Sequence, residues 1–95
     1  MFKDDLLKGK RILVTGGGTG LGKEMASHYA QHGAELYICG RRENVLKETS
    51  DQLKSEYGVD VHYESLDIRA SEDVDGFIQR IFDDGPLDGL VNNAA

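Results

Sequence analysis

The chain has 95 residues, which is enough for one small domain. Its composition, 39% hydrophobic and 29% charged, is typical of a soluble globular protein, and a net charge of −6 argues against a general nucleic-acid binder. Because no apolar run approaches the roughly 18 residues of a membrane span and the charged N-terminus has no apolar signal core, we expect a cytoplasmic protein with no nucleic-acid or membrane partner.

The first third of the chain predicts a strand, a glycine-rich loop and a helix. A short apolar run, RILV at residues 11–14, is typical of a buried strand. After the loop, larger apolar residues recur at helical spacing, and a helix over residues 21–32 ends at Gly33, which is free to take a left-handed conformation. The face that we expect this helix to bury consists of Leu21, Met25 and Tyr29, with Ala26 and Ala30 beside them.

The middle of the chain predicts a strand, a helix and another strand. ELYIC at residues 35–39 predicts the second strand, and Cys39, the single cysteine, is typical of a small buried hydrophobe there. Residues 44–57 predict the second helix, which ends at Gly58. The alternating residues 59–66 then predict the third strand.

The last part of the chain predicts a third helix and a fourth strand. The helix starts at Ser71, because acidic residues occupy its first turn, and DDGPLD at residues 83–88 breaks it. Residues 87–91 predict the strand. The apolar stripe of the helix, which we expect to be core, comprises Val74, Phe77, Ile78, Ile81 and Phe82.

Strands and helices alternate along the whole chain, which is typical of βαβ units with a parallel sheet. Right-handed crossovers then give a Rossmann-type doubly wound α/β fold, with four strands in the order 3-2-1-4 and three helices. Three helices are too few to cover both faces of such a sheet. We therefore expect an uncovered face near the fourth strand, and we interpret residues 1–95 as the N-terminal half of one larger domain.

The loop after the first strand contains five glycines in seven residues, in the sequence TGGGTGLG from Thr15 to Gly22. The spacing T-G-x-x-x-G-x-G starts at Thr15 and places its glycines at Gly16, Gly20 and Gly22. In a dinucleotide fold, the first glycine allows a tight turn, the second lets a pyrophosphate approach the backbone, and the third lets the helix pack closely on the sheet. Free amides at the helix start, near Gly20 and Leu21, would then point at the diphosphate.

Two other interpretations of this loop are open from its sequence alone. The phosphate loop of nucleoside-triphosphate hydrolases needs G-x-x-x-x-G-K-[ST], and the chain matches it from Gly17 to Lys23. Glu24, however, stands where a hydroxyl normally holds Mg²⁺, and a carboxylate there would repel phosphate. A turn with no ligand would need only one or two glycines. We therefore favour the dinucleotide loop.

The residues after the second strand indicate which dinucleotide the loop would bind. An acid about 20 residues past the loop binds the adenosine ribose hydroxyls in dinucleotide folds. Counting from Gly20 leads instead to Gly40, and Arg41 and Arg42 follow. A guanidinium binds a phosphate through paired hydrogen bonds, whereas cations at a helix start are otherwise mildly unfavourable. The arginine pair therefore predicts NADP(H) rather than NAD(H).

Polar segments follow the third and fourth strands, at the edge where open α/β sheets bind ligands. Asp67 could accept a hydrogen bond from the adenine amino group while the Ile68 amide donates to a ring nitrogen, or Asp67 could cap a turn. NNAA at residues 92–95 could lie against the cofactor, or it could be a polar strand exit.

Together, TGGGTGLG, GRR at residues 40–42, LDI at residues 66–68 and NNAA resemble the short-chain dehydrogenase/reductase family, in order and at family spacing. The loop and NNAA, which replaces the usual Asn-Asn-Ala-Gly, are also similar to the 2,4-dienoyl-CoA reductase branch. The resemblance implies that Arg41 and Arg42 bind the 2′-phosphate of NADP(H), that Asp67 and Ile68 bind the adenine, and that Asn93 lies near a ribose. It also implies contacts from the glycine loop, through Thr15, Gly16, Gly18, Thr19, Gly20, Leu21 and Gly22.

The resemblance implies an oxidoreductase that transfers a hydride between nicotinamide and a carbonyl, alcohol or enoyl substrate, and a full-length protein that is a homodimer or homotetramer. The family's catalytic serine, tyrosine and lysine come after the NNAA segment, and no Tyr-x-x-x-Lys occurs in the chain. We therefore expect this chain alone to be inactive. The alternative is a standalone dinucleotide-binding module without catalysis.

The histidines do not predict a metal site. His28 and His32 are four residues apart on a helix, a spacing that can bind metal, but no third ligand is evident in the sequence. We expect surface histidines and no bound metal.

Overall fold

The computed structural model describes residues 6–18 and 20–93. In these ranges, strands and helices alternate as the sequence predicts. Their order is β1 (Arg11–Thr15), α1 (Gly20–Gln31), β2 (Glu35–Gly40), α2 (Glu43–Tyr57), β3 (Val61–Ser65), α3 (Ser71–Asp83) and β4 (Gly89–Asn92). Gly33 (φ +96) and Gly58 (φ +69) follow the first two helices in the left-handed conformation predicted for a helix stop.

The strands form one parallel sheet in the order β3-β2-β1-β4, which confirms the predicted doubly wound topology. β1 is central, because Leu13 pairs with Tyr37 of β2 on one side and with Leu90 of β4 on the other. Along the chain, β2 and β3 are added on one side of β1, and β4 is then added on the other side. Open α/β sheets bind ligands at such a switch point, outside the carboxyl ends of the strands. The loops after β1 and β4 flank this crevice.

Helices α1 and α2 cover one face of the sheet, and α1 does so through small side chains. Its buried residues are Gly22, Ala26 and Ala30. Leu21 is 62% exposed, and Met25 and Tyr29 are only half-buried. The predicted face was therefore right for Ala26 and Ala30 and wrong for Leu21, while Tyr29 packs against the core only in part. Small residues occupy the contact because α1 begins very close to the loop after β1.

Among the described elements, α3 is the one helix on the opposite face, where loop residues such as Leu66 and Leu87 also pack. Phe77 and Ile81, at the centre of its apolar stripe, pack against Leu13, Tyr37 and Cys39. Cys39 is fully buried, as predicted. Phe82, on the flank of the stripe, is 50% exposed, so its prediction as core was wrong. A single helix buries only the middle of its stripe against the sheet.

The uncovered sheet face that the sequence predicts is present at β4. Leu90 pairs with Leu13 and therefore points to the α3 face, yet Leu90 is 53% exposed while Leu13 is fully buried. Among the described residues, no helix has the length and apolarity to span a bilayer, and no group of three or more metal-ligating side chains is arranged around a common point.

Candidate functional site

A cavity of about 220 Å³ opens at the carboxyl ends of β1 and β2. Its walls come from the glycine loop, the turn between β2 and α2, the first turn of α2, and the segment after β3. The lining residues are Gly16, Gly18, Gly40, Arg41, Arg42, Val45, Leu46 and Ile68. The fold thus brings together members of three sequence segments that the motifs singled out separately.

Gly16 begins the turn after β1, and Gly22 of α1 packs directly against it. Gly16 has φ +69, and its amide donates to the carbonyl oxygen of Cys39 at 2.8 Å. A Cβ atom on Gly22 would lie 2.0 Å from the carbonyl oxygen of Gly16. Only glycine at position 22 therefore lets α1 begin this close to the loop. These are the tight turn and the close helix packing that the glycine spacing predicts.

The remaining loop glycines have different surroundings. Gly20 has φ +58, and a Cβ atom there would meet no heavy atom within 4 Å, so the backbone at the start of α1 faces open space beside the exposed Leu21. A Cβ atom on Gly17 would lie 2.7 Å from Cγ2 of Ile38, a packing role that the spacing did not reveal. Thr19 lies outside the described residues. An accessible helix start is the geometry that binds anions.

Arg41 and Arg42 form the cationic wall of the cavity. Both are exposed, and Arg42 is the N-cap of α2, with an extended backbone and no side-chain capping bond. The hydroxyl of Ser65 donates to the carbonyl oxygen of Arg41 at 3.0 Å, which ties this turn to the end of β3. None of the described residues that line the cavity is acidic. Positive charge is therefore concentrated here in a chain whose net charge is −6.

Asp67 follows β3 and binds Arg69. Its Oδ1 accepts from the backbone amide of Arg69 at 2.9 Å and from its Nε at 3.2 Å, and its Oδ2 accepts from Nη2 at 3.3 Å. These hydrogen bonds, with a smaller contribution from the charge of Arg41, hold the pKa of Asp67 below its ordinary value. The carboxylate thus caps its own turn, which is one of the two roles considered from the sequence, while Ile68 lines the cavity.

Thr15 and Asn93 join β1 to the end of β4. The buried hydroxyl of Thr15 accepts from the backbone amide of Asn93 at 2.9 Å and lies 3.1 Å from Oδ1 of Asn92. The side-chain Nδ2 of Asn93 lies 2.8 Å from where a Cβ atom on Gly22 would stand. The end of β4 therefore packs against the glycine loop. The last two residues of NNAA lie outside the described residues.

One buried polar contact at the loop was not predicted from the sequence. Thr49 of α2 is 1% exposed, and its Oγ1 donates to the carbonyl oxygen of Gly18 at 3.0 Å. Val45 and Leu46 lie 3.2 Å from where a Cβ atom on Gly18 would stand. Helix α2 therefore contacts the loop through both a hydrogen bond and apolar side chains. In the sequence, nothing distinguishes Thr49 from Ser50, the hydroxyl residue that follows it.

The family model described as short chain dehydrogenase matches residues 10–95. The chain belongs to the short-chain dehydrogenase family. This membership confirms the resemblance drawn from the glycine loop, GRR, LDI and NNAA. Proteins of this family are oxidoreductases that bind nicotinamide cofactors.

Individual relatives match over nearly the whole chain. A peroxisomal 2,4-dienoyl-CoA reductase of Arabidopsis thaliana is 40% identical, over 99% of this chain and 32% of that protein. L-sorbose reductase of Gluconobacter frateurii, complexed with NADPH and L-sorbose, superposes with a TM-score of 0.90 at 32% identity, over 97% of this chain and 35% of that one. A chain of Escherichia coli CFT073, complexed with NADPH, gives a TM-score of 0.86 at 38% identity, over 98% and 40% of the two chains.

The chain spans about a third of the length of the curated relatives that it matches.

Proposed function

We propose that the natural full-length protein is an NADP(H)-dependent oxidoreductase, and that residues 1–95 supply the adenosine side of its cofactor site. In this proposal, the protein transfers a hydride between nicotinamide and a carbonyl, alcohol or enoyl substrate. The observation that carries the NADP(H) preference is the position of Arg41 and Arg42, which line one cavity together with the loop glycines Gly16 and Gly18.

The surroundings of the arginine pair support a phosphate ligand. Within the described ranges, neither Arg41 nor Arg42 forms an ion pair with a carboxylate. Unpaired cations at the start of α2 are unfavourable by roughly 0.3–1 kcal/mol. A 2′-phosphate would supply the missing negative charge and could accept paired hydrogen bonds from a guanidinium.

The size of the cavity supports a site for part of the cofactor. Pockets that hold a whole ligand measure roughly 300–1,000 Å³, whereas this cavity measures about 220 Å³. We assign the pyrophosphate to the open backbone at Gly20 and Leu21, and the adenine to Asp67 and the Ile68 amide. The further contacts in this proposal are Thr15, Gly16, Gly18, Thr19, Gly22 and Asn93.

A binding titration tests the cofactor preference. Each charge-assisted hydrogen bond contributes roughly 1.5–3 kcal/mol, so we expect the full-length protein to bind NADPH about 10- to 100-fold more tightly than NADH. Replacing Arg41 and Arg42 by alanine should abolish this preference, so that the two cofactors bind with similar affinity. Arg80→Ala is the matched control, because it removes an exposed arginine of α3 that pairs with Glu64 and does not line the cavity. Equal affinities for the two cofactors in the wild-type protein would overturn the preference.

A turnover assay tests the oxidoreductase activity separately. Oxidation of NADPH is followed optically with a panel of carbonyl and enoyl compounds, and reduction of NADP⁺ with a panel of alcohols. Turnover of any compound in these panels supports the oxidoreductase activity. Tight NADPH binding without turnover of any member would favour the standalone binding module instead.

A further inference from the structure

Helix α2 carries two features that face the candidate site at different points. Arg42 stands at its N-cap, and Thr49 follows seven residues later, about two helical turns along. The arginine lines the cavity, whereas the threonine hydroxyl donates to the carbonyl oxygen of Gly18 in the glycine loop. One rigid element therefore contacts both the proposed 2′-phosphate site and the loop proposed to hold the pyrophosphate.

The partner of the Thr49 hydroxyl is unusual for a threonine inside a helix. Such hydroxyls commonly donate to the carbonyl three or four residues earlier in the same helix. Here the hydroxyl reaches a carbonyl 31 residues away in the sequence, at 3.0 Å. Because Thr49 is 1% exposed, bulk water cannot take its place as the donor.

We propose that Thr49 is a positioning residue for the cofactor, which holds the glycine loop at α2 in the conformation that binds the pyrophosphate. This inference rests on the proposed function, because it concerns the same site. Gly18 lies between the turn at Gly16 and the start of α1 at Gly20. Loss of the hydroxyl would free this middle point of the loop while leaving the arginine pair in place.

Two ligands that each carry one part of NADP(H) test the pyrophosphate site and the 2′-phosphate site separately. ADP carries a pyrophosphate but no 2′-phosphate, and adenosine 2′-monophosphate carries the reverse. In the natural full-length protein, we expect Thr49→Val to weaken ADP binding about three- to tenfold, as loss of one hydrogen bond implies. Binding of adenosine 2′-monophosphate should weaken less than ADP binding, because Arg41 and Arg42 stay in place although Gly18 lines the same cavity. Thr49→Ser, which keeps the hydroxyl, should restore ADP binding.

Ser50 provides the matched control on the same helix. Its side chain is fully buried, and its hydroxyl donates to the carbonyl oxygen of Val61 in β3 at 3.3 Å, away from the glycine loop. Ser50→Ala should lower the free energy of unfolding without changing ADP affinity. An equal loss of ADP affinity in Ser50→Ala and Thr49→Val would mean that both act only through stability, and would overturn the proposal.

Further results would also test the role of Thr49 and the proposed function. Wild-type ADP affinity in Thr49→Val overturns the role of Thr49 and leaves the proposed function intact. A wild-type protein that binds neither ADP nor adenosine 2′-monophosphate overturns the proposed function and this inference with it. If Thr49→Val does not fold, Thr49→Ala is compared with Thr49→Ser, and equal ADP affinity in these two variants overturns the proposal.

Discussion

The contact between α1 and the glycine loop predicts that Gly22→Ala destabilises the protein. The added Cβ atom would lie 2.0 Å from the carbonyl oxygen of Gly16 and 2.8 Å from Nδ2 of Asn93, whereas ordinary van der Waals contact begins at 3.4 Å. The nearer obstacle is backbone, which cannot rotate aside as a flexible side chain would. Helix α1 must therefore move away from the sheet, and the buried Ala26 and Ala30 lose packing.

The size of the effect follows from two opposing terms. Overpacking costs roughly 1–3 kcal/mol, and a backbone obstacle places this variant at the upper end of that range. Alanine favours a helix over glycine by at most about 1 kcal/mol. We therefore expect Gly22→Ala to lower the free energy of unfolding by about 2 kcal/mol.

Urea unfolding of the full-length protein measures this difference, with Gly76→Ala as the control. Gly76 lies inside α3, where an added Cβ atom would meet only Nη1 of Arg80, at 3.5 Å. Gly76→Ala should therefore raise the free energy of unfolding by roughly 0.5–1 kcal/mol. The two variants should shift the midpoint in opposite directions with an unchanged slope. A Gly22→Ala protein as stable as the wild type would refute the reasoning.

Two further predictions concern ionisable groups. Because hydrogen bonds from Arg69 lower the pKa of Asp67, this pair stabilises the fold above the ordinary carboxyl pKa and loses that contribution as the pH falls through the lowered value. Arg69→Ala should raise the pKa of Asp67 in a carboxyl NMR titration, and an unchanged pKa would contradict this role. Burial raises the pKa of Cys39 to about 11, so at neutral pH a thiol reagent should label Cys39 only on unfolding. Rapid labelling of the folded protein would speak against this burial.

The topology could be predicted because its signals are local and its assembly rules are general. Apolar runs, helical periodicity and the glycines at positions 33 and 58 mark the elements, and right-handed crossovers then order the strands. The exposed Leu90 on β4 also follows, since one helix cannot cover a whole sheet face.

On α1, the buried Ala26 and Ala30 were predicted, but larger residues were given the main part of the buried face because the size of side chains was taken as the signal. Leu21 begins a stripe of larger residues, but the stripe of small ones from Gly22 to Ala30 is the buried one. Periodicity predicts which helix packs against a sheet. The distance between α1 and the sheet depends instead on the glycine loop after β1. A glycine followed at spacing of four by two alanines was the signal for a close approach.

In the candidate site, the sequence predicted which segments meet but not how they are held. Gly18, Arg41 and Ile68 meet because the carboxyl ends of parallel strands lie at one edge of the sheet. The bond from Thr49 to Gly18 joins residues with no local relation, and no motif contains it. Whether the proposed residues bind NADP(H) stays a prediction.

The three consecutive glycines of the loop are each confined by a different neighbour. A Cβ atom would meet Asn93 at Gly16, Ile38 at Gly17 and Leu46 at Gly18, all within 3.2 Å. A run of glycines is usually associated with flexibility, since glycine loses the most conformational entropy on folding. Here the run serves close packing, because a side chain at any of the three positions would press against a neighbour. A nucleotide that binds beside these glycines therefore meets backbone, which glycine alone brings this close.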